Sequence, residues 1–303
     1  MNDRTQILPF TKVEGLGNDF VVVDLRPGRP AARMETVAQD PDKVIGICDR
    51  HFGVGADGVL AILPASAGDA RMRVLNADGS EAEMCGNGIR CVAKFLYDTD
   101  PSLHRSPLRI ETGAGLLECS LEETAAGGLT VSVEMGRPRL SREEIPLSPG
   151  GQEPATRTPI SAGDCGFAFT AVSMGNPHAV IFVDDPSVDL MALAKAYGPA
   201  LEVDPTFPRR TNVEFARVRG TEIDLVVWER GCGITLACGT GACATAVAAG
   251  IEGRRTWGQE IPVHLPGGTL FITVAGDGSG VRMRGPARTV FQSEFDLSRL
   301  RAP

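Results

Sequence analysis

Asn76-Ala77-Asp78-Gly79-Ser80-Glu81-Ala82-Glu83-Met84-Cys85-Gly86-Asn87-Gly88-Ile89-Arg90-Cys91 places a cysteine directly before Gly-x-Gly, and the pattern returns far downstream in Ala237-Cys238-Gly239-Thr240-Gly241-Ala242. Each copy opens a segment that predicts a helix. In the first, Ile89, Val92, Ala93 and Leu96 fall at helical spacing over residues 87–97. In the second, residues 240–250 are almost wholly small and apolar, as suits a helix enclosed by sheet. Nine residues ahead of each cysteine stands a polar residue at a predicted strand end, Asn76 in one half and Glu229 in the other. Further upstream, Gly17-Asn18 is echoed by Gly175-Asn176. Spacing kept in both halves points to an internal duplication, with equivalent helix N-termini presented across a shared cleft.

Outward from these motifs, strands are expected at residues 11–13 and 20–24 around the turn Gly15-Leu16-Gly17-Asn18. Asp40-Pro41 reads as an N-cap followed by proline at the first helical position, opening a helix that runs to about residue 50. Residues 59–63, 71–76, 108–112, 116–121 and 129–135 are β-rich. From 136 to 162 five prolines interrupt the pattern, and the domain boundary is placed there. The second half predicts strands at 167–174 and 179–184, a helix at 190–197, strands at 213–218 and 222–228, and further strands to about 284. The expected class is mixed α/β in two domains, 1–135 and 136–285.

Composition excludes several functions. With 303 residues and 43% apolar content, the chain is long enough for two modest cores and too apolar for disorder. A net charge of −8 without a basic run argues against nucleic acid or an anionic membrane surface as a partner. No stretch of about 18 apolar residues suggests a transmembrane helix, and Met1-Asn2-Asp3-Arg4-Thr5-Gln6 lacks the apolar core of a signal peptide. The expectation is a cytoplasmic protein whose eight cysteines are thiols.

A cysteine is ordinarily a small buried residue. That reading suits Cys48, Cys91, Cys119, Cys165 and Cys243, and Cys232 is ambiguous. Cys85 and Cys238 differ because each sits at a predicted helix start. There the unsatisfied N–H groups and partial positive charge favour a thiolate or a bound carboxylate, and glycine lets a ligand approach the backbone. Zinc sites favour Cys pairs two to four residues apart. Cys85 to Cys91 and Cys238 to Cys243 do not fit, the four histidines do not cluster with them, and no Cys-x-x-Cys redox motif occurs. No metal is expected. Pyridoxal phosphate needs a Schiff-base lysine, and none of the four lysines (12, 43, 94, 195) lies in these motifs, so no cofactor is expected. The glycine-rich turns have neither Walker nor Rossmann spacing.

The segment from Asn76 to Cys91 resembles the first signature of the diaminopimelate epimerases, and Glu229-Arg230-Gly231 with Ala237–Ala242 resembles the second. Gly15–Phe20, Gly175-Asn176-Pro177-His178 and Thr211-Asn212-Val213-Glu214-Phe215 are similar to three further family motifs, in family order. The resemblance implies two pseudo-symmetric domains, each a mixed, barrel-like sheet around a central helix. The active site would lie in the cleft between them, and a final strand after Gly285-Pro286-Ala287, about 286–303, would return to the first domain. It also makes a homodimer an available assembly. Two departures stand out: Gly58 where many members carry Gln, and Ile234 where many carry Glu.

The implied activity is interconversion of LL- and meso-diaminopimelate, on the path to lysine and peptidoglycan. An inverting proton transfer needs a base on one face of the α-carbon and an acid on the other. One cysteine as thiolate and the other as thiol supplies both. Backbone N–H groups around Gly86, Asn87, Gly239 and Thr240 would stabilise charge spreading onto the α-carboxylate. By resemblance, Arg230 pairs with the distal carboxylate together with Asn76, Asn176 and Asn212. Glu229 holds an ammonium group, and His178 and Asn18 position the reacting end. The rivals are a related two-cysteine racemase, for example of histidine, and a non-catalytic binding or redox-sensing protein on the same scaffold.

Overall fold

A computed structural model of the chain describes residues 6–124 and 128–300. Residues 1–5, read above for a leader sequence, and 301–303, at the end of the returning segment, lie outside the described residues. The chain divides into two compact units, Met1–Val133 with Gly285–Pro303, and Glu134–Arg284. The sequence reading had placed the change of domain between 135 and 136, and the second unit starts at Glu134.

In the first unit, β1 (Ile7–Gly15) and β2 (Asn18–Asp24) form an antiparallel hairpin whose turn places Leu16 and Gly17 at positive φ. Helix α1 (Pro41–Cys48) starts as expected, with the Asp40 side chain accepting from the Asp42 N–H. Next come β3 (Gly58–Leu63), β4 (Ala70–Asn76), the short β5 (Glu81–Ala82) and α2 (Gly86–Thr99). They are followed by β6 (Leu108–Thr112), β7 (Gly115–Glu123) and β8 (Leu129–Glu134). β2 pairs parallel with β3, β3 antiparallel with β4, β4 parallel with β6, and β6, β7 and β8 run antiparallel. The C-terminal strand Arg288–Asp296 pairs antiparallel with β1.

The β strands are covered on both faces, which explains their near-continuous apolar runs. Val21, Val23, Val59, Ala61 and Leu75 pack with Val44 and Ile47 of α1. On the other face α2 packs against β1, β2, β3, β4, β6 and β7 and is buried over most of its length.

The second unit repeats this plan. It holds β9 (Thr158–Ala162), β10 (Cys165–Ser173), β11 (Pro177–Phe182), α3 (Leu190–Glu202), β12 (Asn212–Arg219) and β13 (Glu222–Glu229). β14 (Gly233–Ile234), α4 (Gly239–Ile251), β15 (Glu260–Leu265), β16 (Gly268–Val274) and β17 (Val281–Pro286), whose last two residues already belong to the first unit, complete it. From β10 onward the pairings are antiparallel, parallel, antiparallel, parallel, antiparallel and antiparallel, the same succession that runs from β1 to β8. Helix α4 takes the place of α2, with Gly241 through Ala249 buried against β10, β11, β12, β15 and β16. Helix α3 takes the place of α1, over Phe169, Ala171, Ile181, Val213 and Phe215. The mixed α/β class expected from the sequence is therefore borne out.

Two elements depart from the sequence reading. β9 lies inside the proline-interrupted stretch where the domain boundary is placed and no strand is assigned. Pro159 is exposed, whereas Ile160 and Ala162 are buried, so the strand survives as a half-buried neighbour of β10. Helix α3 runs past the expected end near 197 and through Pro199. Its last turn is anchored: Gly198 packs so tightly on Trp228 that a Cβ there would meet the indole at 2.6 Å, and Leu201 and Glu202 are buried.

Candidate active site

In the first unit, Cys85 is the N-cap of α2, with extended backbone and its sulfur accepting the Gly88 N–H at 3.4 Å. Such a cap places the sulfur where the helix N-terminus favours negative charge. Gly86 and Asn87, in the first turn, are buried. Behind them lies a fully buried arginine that the sequence reading did not single out. Arg90 donates through Nη1 to the Gly86 carbonyl at 3.1 Å, through Nη2 to Asn87 Oδ1 at 2.9 Å, and through Nε to the Pro286 carbonyl at 3.3 Å. Because the Arg90 guanidinium can only donate, it fixes which end of the Asn87 amide is oxygen. Asn87 Nδ2 then donates to Asn18 Oδ1 at 3.1 Å, and Asn18 Nδ2 donates to Asp57 Oδ2 at 2.7 Å. Asn18 Oδ1 lies 3.9 Å from the Cys85 sulfur and can accept from its thiol.

Asp57 and Asp19 are bound by Arg50, and the buried Lys12 ammonium reaches both Asp19 and the Gly55 carbonyl. Burial raises the Asp19 carboxyl, and Arg50 and Lys12 together outweigh it and hold it below its ordinary value. Asn76 closes β4, and its Nδ2 donates to Ser80 Oγ at 2.9 Å. Opposite it stands Gly58, where a Cβ would meet the Leu75 carbonyl oxygen at 2.6 Å. At the other departure, Ile234 packs with Trp228 on the α3 core.

In the second unit, Cys238 is the N-cap of α4, buried, with no side-chain capping bond. Its sulfur lies 3.6 Å from Thr240 Oγ1. Asn176 Nδ2 donates to Thr240 Oγ1 at 3.3 Å, and Asn176 Oδ1 accepts from His178 Nε2 at 3.0 Å. His178 Nδ1 is 2.6 Å from Glu214 Oε1, with both side chains fully buried. Glu214 Oε2 has no hydrogen-bond partner among the described residues. A Cβ on Gly241 would lie 3.0 Å from Glu214 Oε1 and 3.3 Å from the Cys238 sulfur, so glycine lets the helix start rest closely on that carboxyl. Burial, then Glu229 and Glu214, push the Cys238 thiol well above its ordinary value, while Thr240 and the Gly241 N–H pull it down. Glu214 is itself raised, chiefly by burial, with His178 opposing.

The remaining expected site residues surround the β13–β14 turn. Asn212 is buried with both amide ends engaged: Nδ2 donates to the Pro177 carbonyl at 2.9 Å and Oδ1 accepts the Arg230 N–H at 3.0 Å. Asn212 thereby sets the backbone of Arg230. The Arg230 side chain is exposed and donates to the Arg209 carbonyl at 3.2 Å. Glu229 accepts from the Thr235 hydroxyl. Glu202, also unflagged by sequence, holds the same turn by accepting from Trp228 Nε1 at 2.8 Å and the Gly231 N–H at 3.0 Å.

No disulfide joins the described cysteines. Cys48, Cys91, Cys119 and Cys243 are buried as read. Burial pushes Cys48, Cys91 and Cys119 up to about 12, which makes them inert thiols near neutral pH. Cys165 departs from the core reading. It opens β10 at a hairpin, opposite Ala162, and is half-buried, while Cys232 is exposed. Among the described residues no group of three or more His, Cys, Asp and Glu side chains could hold a metal ion, and no helix is long and apolar enough to cross a membrane. The apolar recess lined by Phe167, Ile181, Phe182, Val188 and Leu193 contains none of the expected site residues.

The sequence model of a family described as diaminopimelate epimerase matches residues 10–141 and 170–290. A diaminopimelate epimerase of Desulfitobacterium hafniense is 46% identical over 287 residues, covering 94% of this chain and 97% of that protein. One of Desulforudis audaxviator is 48% identical over 293 residues, covering 95% and 99%. Among solved structures, a hydroxyproline epimerase from Agrobacterium vitis, crystallised with trans-4-hydroxy-L-proline, superposes with a TM-score of 0.69 at 16% identity. That match covers 96% of this chain and 92% of the other, and likeness at that identity is a likeness of fold.

Proposed function

The chain belongs to the diaminopimelate epimerase family, and we propose that it interconverts LL- and meso-diaminopimelate without a cofactor, with Cys85 and Cys238 as the acid/base pair. The observation that carries this reading is that each cysteine caps an enclosed Gly-x-Gly helix at the same topological position of a repeated unit. A duplicated fold with one thiol per copy supplies two equivalent groups, as removal of a proton from one face of a carbon and delivery to the other requires.

The α-proton is far less acidic than a thiol, and each pKa unit of mismatch corresponds to about 1.36 kcal/mol. The chain's own dipoles offset part of that. The first-turn N–H groups of α2 and α4, at Gly86, Asn87, Gly239 and Thr240, are the donors assigned to the α-carboxylate as charge spreads onto it. At the distal end Arg230 takes the carboxylate and Glu229 the ammonium, a complementary clamp whose binding energy orients the reacting carbon. Asn212 and Glu202 hold that clamp's backbone in place. Asn76 and Asn176 add amide contacts, and Asn18 and His178 steady the reacting end. The product would feed lysine and peptidoglycan synthesis in the cytoplasm.

Incubation with LL-diaminopimelate in deuterated water tests the reading. The expected result is meso product carrying one solvent deuteron at the inverted centre. Unchanged configuration with no label would reject it, and equal turnover of histidine would replace it with a broader racemase.

A further inference from the structure

The two units differ most sharply at one pair of matched strand positions. In the first unit Phe20 pairs with Gly58, and two residues on, Val22 pairs with Leu60. In the second, His178 pairs with Asn212, and Val180 with Glu214. His178 thus stands at the position of Phe20, and Glu214 at that of Leu60. The helix contacts agree. A Cβ on Gly88 would meet the Leu60 side chain at 3.0 Å, and one on Gly241 would meet Glu214 Oε1 at the same distance. All four side chains are buried. The first unit therefore shows that this scaffold closes on an apolar pair. A buried carboxyl with one oxygen unsatisfied is a cost the fold does not require.

We infer that Glu214 is a positioning residue which, through His178, Asn176 and Thr240, aims a hydroxyl donor at the Cys238 sulfur. The directions follow from donor and acceptor chemistry. Asn176 gives an Nδ2 hydrogen to Thr240, so its Oδ1 faces His178 and must accept from Nε2–H. His178 therefore carries hydrogen on Nε2, and the 2.6 Å contact at Nδ1 holds a single proton shared with Glu214. A carboxyl at Nδ1 selects that arrangement. Thr240 Oγ1 accepts from Asn176 and still carries its own hydrogen, which it can give to the sulfur 3.6 Å away once that sulfur is a thiolate and only accepts. The links from Glu214 to Thr240 are held in register, and the thiolate formed during turnover meets a hydroxyl within reach. The titratable groups around that sulfur are Glu214, His178 and Glu229.

The catalytic consequence rests on the epimerase reading, so the test includes a measurement that needs no substrate. Iodoacetamide alkylation of Cys85 and Cys238 is followed against pH by peptide-resolved mass spectrometry in the wild type, Glu214→Gln, Thr240→Val and the double variant. Thr240→Val should raise the alkylation midpoint of Cys238 by about one pH unit, the loss of one hydrogen bond to a charged group. Glu214→Gln should move it by less, since loss of the aimed donor raises the midpoint while loss of the carboxylate that pushes the thiol up lowers it. Cys85 should not move. Glu214→Gln should lower kcat about tenfold with KM within about twofold, and little further in the Thr240→Val background. Full multiplication of the two effects on kcat, equal shifts at both cysteines, or no shift at Cys238 in Thr240→Val would overturn the assignment. Should Glu214→Gln fail to fold, Thr240→Val alone decides, because an unmoved Cys238 midpoint means no donor reaches the sulfur. The double variant His178→Phe/Glu214→Leu, which installs the first unit's pair, should keep its melting temperature and lose the Cys238 signature; retention of that signature would also overturn the proposal. Altered Cys238 alkylation without any epimerisation would uphold the relay and reject the epimerase reading.

Discussion

The Cys85 half-site is organised by cations and the Cys238 half-site by anions. Arg90, Arg50 and Lys12 stand behind Cys85, each donating into amide, carbonyl or carboxylate oxygens. Glu214 and Glu229 stand behind Cys238 and help push its thiol up. The reversal reaches the matched asparagines. Asn18 turns its oxygen toward Cys85, where it can accept from a thiol, and Asn176 turns its nitrogen toward the Thr240 hydroxyl that serves Cys238. A duplicated fold has thus kept its strand pairings and its two capping cysteines while opposite charges set the hydrogen-bond direction at each. Geometry is the shared inheritance, and electrostatics is where the copies have diverged.

The largest expected effect asks whether the two halves are both needed. Cys85→Ser and Cys238→Ser should each lower epimerisation by about 10²–10⁴-fold or more, the range for loss of a positioned acid or base, with the folded circular dichroism spectrum retained. Near wild-type rates in either variant would mean that one half-site is ornamental. Next in size, Arg230→Met should reduce kcat/KM for diaminopimelate by about 10–150-fold, the worth of a charge-assisted hydrogen bond. The preference over histidine, lysine and glutamate should narrow accordingly. An unchanged ratio would remove the distal clamp from the second unit.

Much of this contrast was beyond the reach of the sequence, for identifiable reasons. The repeated Cys-Gly-x-Gly gave both central helices, and Asp40-Pro41 gave the start of α1, because caps are local signals. Glu214 sat inside a quoted motif and passed unremarked. A lone acidic residue between Val213 and Phe215 reads as the solvent face of a half-buried strand. Only the cover of α4 on that face reveals that it is buried. Arg90 failed in the same way: at one helical position past Ile89 it looked like surface. β9 was hidden by Pro159, although the proline occupies the exposed register. What local pattern cannot supply is which polar residues the tertiary cover encloses, and these are the residues that distinguish the half-sites.

Alkaline pH offers a smaller test of unit against unit. The first unit encloses Cys48, Cys91 and Cys119, each pushed up to about 12 by burial. A thiol ordinarily loses its proton near 8.5. Below that, the folded and unfolded states are both protonated and the contribution to stability is complete. Above it, the unfolded chain releases protons first and binds fewer than the native state, so stability falls as pH rises toward about 12. The upper bound is about 1.4 kcal/mol per pH unit per thiol. Unfolding free energy measured by urea titration should therefore drop between about pH 9 and 11, and Cys91→Ala should flatten that slope. An identical slope in the variant would show that these thiols ionise in the native state.

The smallest effect concerns Gly58 and Asn212, which occupy the same strand position in the two units. Asn212 uses its amide to tie Pro177 to Arg230. Gly58 has no side chain, and a Cβ there would press on the Leu75 carbonyl at 2.6 Å, a contact that backbone on both sides cannot relieve by a rotamer change. The missing side chain in the first unit is thus a feature of its local backbone as well as an absence near the site. Gly58→Ala should destabilise by about 1–3 kcal/mol, the usual range for overpacking, with little change in KM. Asn212→Ala should cost a similar ~1–3 kcal/mol through its unpaired partners, and should also raise KM, because the Arg230 turn loses its support. Thermal melts and steady-state kinetics on the two variants separate the positions. A neutral Gly58→Ala would show that the strand can shift to admit a side chain. It would also return the question of substrate contact at this position to the first unit, where many relatives carry glutamine.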